Sequence, residues 1–111
     1  MSCCVKKHLN FLCLLSKTHP TQQDALLETA EPDQIRAICE CIYNILKGNI
    51  YVPEAIKEQL RPNRNILRDI ADEKISYNNK KKLLVQKGGT LLSALLPIAV
   101  SGISSLLKNV L

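Results

Sequence analysis

An all-α protein, a small bundle of five or six short helices plus an apolar C-terminal helix, is the fold class this sequence predicts. Three observations carry it. The 111 residues include no tryptophan and one phenylalanine, Phe11, so a core must be drawn from Leu, Ile and Ala, a composition that favours helices over strands. Apolar residues recur at intervals of three and four along most of the chain, and no alternating strand pattern or internal repeat interrupts them. Proline, glycine and Asx turns punctuate the periodic stretches. A chain of this length fits one small domain with a marginal core.

From Cys4 to Ser16, Val5, Leu9, Leu12 and Cys13 repeat at helical spacing, with Lys6, Lys7 and Asn10 on the other side. Thr18-His19-Pro20-Thr21 breaks that helix, and Pro20 or Thr21 begins a second, QQDALLETA, which the Glu31-Pro32 step ends. Asp33 is the expected N-cap of DQIRAICECIYNILK, whose Ile35, Ile38, Ile42, Ile45 and Leu46 form a stripe, and Gly48-Asn49 supplies a left-handed stop. Ile50-Tyr51-Val52 reads as an extended connector. Pro53 then opens PEAIKEQL, with Ala55, Ile56 and Leu60 expected inside, and after Arg61-Pro62 the pattern resumes with Ile66, Leu67, Ile70 and Ala71. Ser76 is the expected N-cap of SYNNKKKLLVQK, a helix closed by Gly88.

The tail from Thr90 differs in kind. Leu92, Leu95, Leu96, Ala99, Ile103, Leu106, Leu107 and Val110 share one helical face, and no charge precedes Lys108. Eighteen uncharged residues reach about 27 Å, short of a hydrocarbon core near ~30 Å. The face therefore suits core or oligomer packing, interfacial membrane action or, tightly, a span interrupted by Pro97.

Charge divides the chain as sharply as hydropathy does. Residues 1–60 hold six Lys/Arg against seven Asp/Glu, whereas residues 61–89 hold eight against three. Arg61, Arg64 and Arg68 recur at three and four and share a helical face, while Lys80, Lys81, Lys82 and Lys87 form a second group that fans around its helix. Such a pattern suits sequence-independent contact with nucleic-acid phosphates, and its plain alternative is a solvated basic surface. Three segments follow: a helical module at 1–60, a basic helical segment at 61–89 and an apolar C-terminal helix at 90–111.

No catalytic constellation stands out. The sequence has no phosphate-binding glycine loop, no G-x-S-x-G, no His-Glu metal motif and no carboxylate pair in an apolar frame, so no enzyme activity, metal or cofactor is expected. Five cysteines, Cys3, Cys4, Cys13, Cys39 and Cys41, are an odd number, and the apolar part of the N-terminus is short for a secretory signal. Free thiols in a reducing compartment are the expectation, with Cys39 and Cys41 as small buried side chains.

Two stretches carry a resemblance: IRAICECIYNILKGNI at 35–50 and KKKLLVQKGGTLLSALLPIAVSGISSLL at 80–107. They look like small uncharacterised proteins encoded by Polinton/Maverick-type DNA elements and the related adenovirus-like (adintovirus-like) elements of animal genomes. More distantly, a basic segment followed by glycine and a Leu/Pro/Ala tail is similar to the small core protein of adenoviruses, which condenses DNA and is cut by a viral cysteine protease. The resemblance implies a candidate processing point at Gly88-Gly89, before Thr90, with Gln86 where that protease prefers an aliphatic residue. It also implies a nuclear or virion-associated accessory protein. Its expected partners are non-specific nucleic acid, a membrane or capsid component met through the tail, and further copies of itself. A helical adaptor or oligomerising protein with a buried tail, and a small tail-anchored membrane protein, are the rival readings.

Overall fold

The computed structural model describes the backbone of residues 7–110 and the side chains of residues 7–19, 21–86 and 92–102. Six α-helices and no strand occur among the described residues: α1 (Leu9–Lys17), α2 (Pro20–Glu28), α3 (Pro32–Leu46), α4 (Glu54–Leu60), α5 (Arg64–Ala71) and α6 (Tyr77–Val110). A 3₁₀ turn, Arg61–Asn63, joins α4 to α5. The small all-α bundle expected from the aliphatic periodicity is therefore the fold observed.

Local chemistry sets each boundary. At the α1–α2 elbow, His19 Nδ1 accepts from the Thr21 N–H at 3.3 Å and Pro20 opens the helix. The fully buried Gln23 donates from Nε2 to the Leu15 carbonyl at 2.9 Å, tying α2 to the end of α1. Pro32 does not end α2 but starts α3, and Glu31, not Asp33, is the N-cap. A proline at the first helical position has its φ already set and lacks only an N–H that would go unbonded there. Gln34 Oε1 accepts from the Glu31 N–H at 2.8 Å, and Asp33 falls in the first turn, where the helix dipole favours a carboxylate. At the other end Gly48 takes φ +78°, and the Asn49 N–H reaches back to the Asn44 carbonyl at 2.9 Å, the left-handed stop that Gly48-Asn49 predicted. Ala55, expected inside, is exposed, because α4 is short and turns only Leu60 and part of Ile56 inward.

The largest departure from expectation is at Gly88-Gly89. The helix that Ser76 begins does not stop there, and α6 runs unbroken for 34 residues. Two interior glycines cost about 1 kcal/mol each in helix propensity. Leu84 before them and Leu92, Leu95 and Leu96 after them are all at most 1% exposed, and each fully buried leucine contributes about 1.5–3 kcal/mol. Burial on both sides thus outweighs the local penalty. Pro97 also lies inside α6, on its exposed side, so the hydrogen bond that its missing N–H removes is lost at the helix surface and not in the core.

α6 is the element that every other helix contacts. Its N-terminal end is anchored by the Tyr77 hydroxyl, which donates to the Ala30 carbonyl at 3.2 Å, and by Lys81, whose Nζ donates to the Glu28 carbonyl at 2.6 Å. Farther along, Gly102 permits close approach to the connector after α3: a Cβ there would lie 2.8 Å from Ile50 Cγ2. Leu12 and Leu15 of α1, Leu27 of α2, Ile35, Ile38 and Ile42 of α3, and Leu67 and Ile70 of α5 complete the core.

Removing residues 90–111 takes Leu92, Leu95, Leu96 and Ala99 out of that core. A 1–89 chain is expected to lose its cooperative thermal transition by far-UV circular dichroism. Leu95→Ala in the full chain should cost about 2–5 kcal/mol in urea unfolding. A 1–89 chain that melts as sharply as the full one would contradict this account.

Candidate nucleic-acid interface

The basic residues that the sequence groups together separate in the structure. Arg64 and Arg68 stand one turn apart on the outward side of α5, opposite the buried Leu67 and Ile70, and both are exposed with no ion-pair partner among the described residues. Arg61 lies in the preceding 3₁₀ turn, and its guanidinium is held by Glu58 at 2.7 Å. That pair is exposed on both sides, 58% and 62%, and such pairs contribute about 0–1 kcal/mol, so it gives way readily to a phosphate.

The lysines on α6 have three different environments. Lys82 is exposed. Lys81 is half-buried, with its ammonium on the last carbonyl of α2 and 6.0 Å from the centre of the Tyr77 ring, so its charge complements a helix C-terminus. Lys80 is half-buried in a cleft of about 520 Å³ between α3, the end of α5 and the start of α6. The Lys87 side chain lies outside the described residues, as do Gly88 and Gly89 beyond their helical backbone. Three of the seven predicted cations, Arg64, Arg68 and Lys82, are thus free for an external anion, and Arg61 is weakly engaged.

Sequence reasoning missed the cleft. Its α3 wall is made by Arg36, Cys39, Glu40, Tyr43 and Asn44, and Ala71, Glu73 and Lys80 face them. The missed signal was a spacing: Arg36, Glu40, Tyr43 and Lys47 follow one another at four, three and four, a polar stripe flanking the Ile35, Ile38 and Ile42 face. Arg36 pairs with Asp33 at 3.5 Å across largely exposed side chains, and Lys47 Nζ sits 5.5 Å from the centre of the Tyr43 ring. Asn44 donates to the Glu40 carbonyl and accepts from Asn49 Nδ2, both at 2.9 Å.

Cys39 and Cys41 are buried thiols, as expected. Burial pushes Cys39 up to about 11, with the Lys80 ammonium opposing and the Glu40 carboxylate reinforcing it. Burial likewise takes Cys41 to about 12, reinforced by Glu40 and Cys39. Both stay protonated near neutral pH and are poor nucleophiles. No group of three His, Cys, Asp or Glu side chains fit to hold a metal occurs among the described residues.

Over residues 92–99 the tail face is occupied by the bundle itself. Leu92, Leu95, Leu96 and Ala99, expected to meet a membrane or an assembly partner, are packed against the other helices, and the exposed side of α6 presents Ser93, Pro97 and Ser101. The Ile103, Leu106, Leu107 and Val110 side chains lie outside the described residues. No helix among the described residues is long and apolar enough to cross a membrane. The physical reason for the burial of Leu92, Leu95 and Leu96 is economy of apolar surface: a short aliphatic chain needs these leucines for its core.

Thiols held at about 11 and 12 in the fold, against a usual value of 9.0, make stability pH-dependent. Above pH 9.0 the unfolded chain releases protons that the folded chain keeps, so their contribution is complete below that pH and is lost as pH rises toward 11 and 12. Chemical denaturation at a series of pH values from neutral upward should show this decline. The Cys39→Ala/Cys41→Ala variant should show a shallower one, and equal slopes would refute the assignment.

No protein-family model matches the chain, and no curated protein and no solved structure matches it either.

Proposed function

We propose that the chain is a non-enzymatic accessory protein of a virus-like mobile element that binds the phosphate backbone of nucleic acid, nuclear or packaged in a virion, through Arg64, Arg68 and Lys82. The observation that carries this reading is the pair of exposed arginines one turn apart on α5, without an ion-pair partner among the described residues, within the segment that holds the chain's positive surplus. Guanidinium groups at this spacing suit neighbouring phosphates, and displaced counterions supply the affinity without any base being read. The link to a mobile element comes from the resemblance of residues 35–50 and 80–107.

Binding of a labelled DNA duplex, followed by fluorescence anisotropy across salt, tests it. Three neutralised phosphates give a log–log slope of about −2.7, and Arg64→Gln/Arg68→Gln should reduce its magnitude by about 2. Affinity indifferent to salt, or a variant with an unchanged slope, would sink the reading.

A second reading, a helical adaptor or oligomerising protein, is favoured by the burial of Leu92, Leu95, Leu96 and Ala99, which makes the tail part of the fold. Sedimentation velocity separates it from the first. Self-association that grows with protein concentration and survives Arg64→Gln/Arg68→Gln without nucleic acid supports the adaptor, and a monomer at all concentrations removes self-assembly.

A further inference from the structure

The cleft beside Lys80 has two lobes with a common waist. Arg36, Cys39 and Lys80 line both the larger lobe of about 520 Å³ and an adjoining one of about 200 Å³. Two cations therefore stand where the lobes meet, with Tyr43 on one side and Tyr77 on the other. The carboxylates Glu40 and Glu73 line only the larger lobe. Resting on the reading of the chain as a nucleic-acid binder, the geometry points to this cleft as a seat for one nucleotide step of a single strand. Its phosphodiester lies between Arg36 and Lys80, and its base lies against Tyr43 with the amino edge toward Glu40 and Glu73.

Each part of the cleft has a physical reason to prefer that ligand over a bare polyanion. Lys80 is half-buried and in none of the salt bridges among the described residues, so an anion at the waist meets its ammonium without displacing an ion pair. Arg36 pairs with Asp33 at 3.5 Å across largely exposed side chains, a contact that exchanges readily for phosphate. The floor does not oppose the anion, because burial keeps the Cys39 thiol protonated. Tyr43 is 45% exposed, one of two exposed tyrosines among the described residues, and Lys47 beside its ring adds a cation for the next phosphate.

Glu40 and Glu73 supply discrimination. They repel a plain phosphate chain, and they accept hydrogen bonds from the amino groups of cytosine, adenine or guanine. A paired base keeps its Watson–Crick edge and both faces covered, so only an unpaired base offers the face and the edge together. The larger lobe is within the ~300–1,000 Å³ range of sites that enclose small ligands. The cleft and the α5 arginines thus ask for different states of the same polymer, an unstacked strand and a bare backbone.

Anisotropy titrations of the full chain with labelled oligo-dC, an abasic strand of equal length and a duplex, at one salt concentration, test this. Oligo-dC should bind about tenfold tighter than the abasic strand, the order of one stacked base. Arg36→Gln/Tyr43→Ala, at two exposed positions that leave the core intact, should erase that difference and change duplex affinity by less than about twofold. Lys80→Gln should weaken oligo-dC binding in the same way. Equal binding of dC and abasic strands, or a preference that survives both variants, overturns the cleft assignment. If duplex binding with its steep salt slope persists in that case, the backbone reading stands alone. If neither strand nor duplex binds, both readings fall.

Discussion

Everything in this fold depends on burying one face of α6. Five shorter helices, from α4 at seven residues to α3 at fifteen, are each marginal alone, since isolated helices of that length are barely populated in water. They persist because each lays its apolar stripe on the same 34-residue rod or on a neighbour that does. The rod in turn keeps its two interior glycines and Pro97 helical only because leucines on both sides are buried by those neighbours. Each half thus covers apolar surface of the other, the packing that a single cooperative unit requires.

That dependence decides what the charged residues are left to do. Lys81 has a structural task, closing the end of α2, and Arg61 is balanced by Glu58 on the turn into α5. Arg64 and Arg68 have no such task, because Leu67 and Ile70 hold α5 in place and face the other way. A helix anchored by its apolar face and carrying exposed guanidinium groups on the opposite face can bind a polyanion without rearranging. Lys80 is intermediate: its position is fixed by Leu84 one turn later, which is fully buried, while its ammonium faces a cleft.

Much of the fold was legible because local signals and burial agree there. The left-handed Gly48, the α3 stripe and the inward Leu67 and Ile70 follow from spacing and turn chemistry alone. The sequence misled where one local signal admits two outcomes. Pro32 suits both the residue after a helix and the first residue of one, and the Gln34–Glu31 hydrogen bond decides between them. Gly88-Gly89 reads as a stop only if no long-range burial opposes it, and the leucines that oppose it belong to a helix that packs most heavily on α1 and α2, near the other end of the sequence. The site was less legible than the fold. Exposure of Arg64 and Arg68 follows from the helical wheel, but the cleft joins Arg36 to Lys80 across 44 positions, and no periodicity reports a contact between two helices.

The tail illustrates why apolarity alone does not assign a segment to a membrane. Leucines on one face of a helix lower the free energy by leaving water, whether they enter lipid or a protein core. The choice depends on what else the chain offers. Here the remaining helices contribute Leu12, Leu15, Leu27 and Ile35, each at most 1% exposed, from helices that all contact the long apolar one. Withdrawing α6 into a bilayer would expose that set to water at about 25 cal/mol per Å² and leave the short helices without a partner. For residues 92–99 the bundle core is therefore the lower-energy environment, and any surface this protein uses to meet a partner must be built from the residues that the core leaves outside.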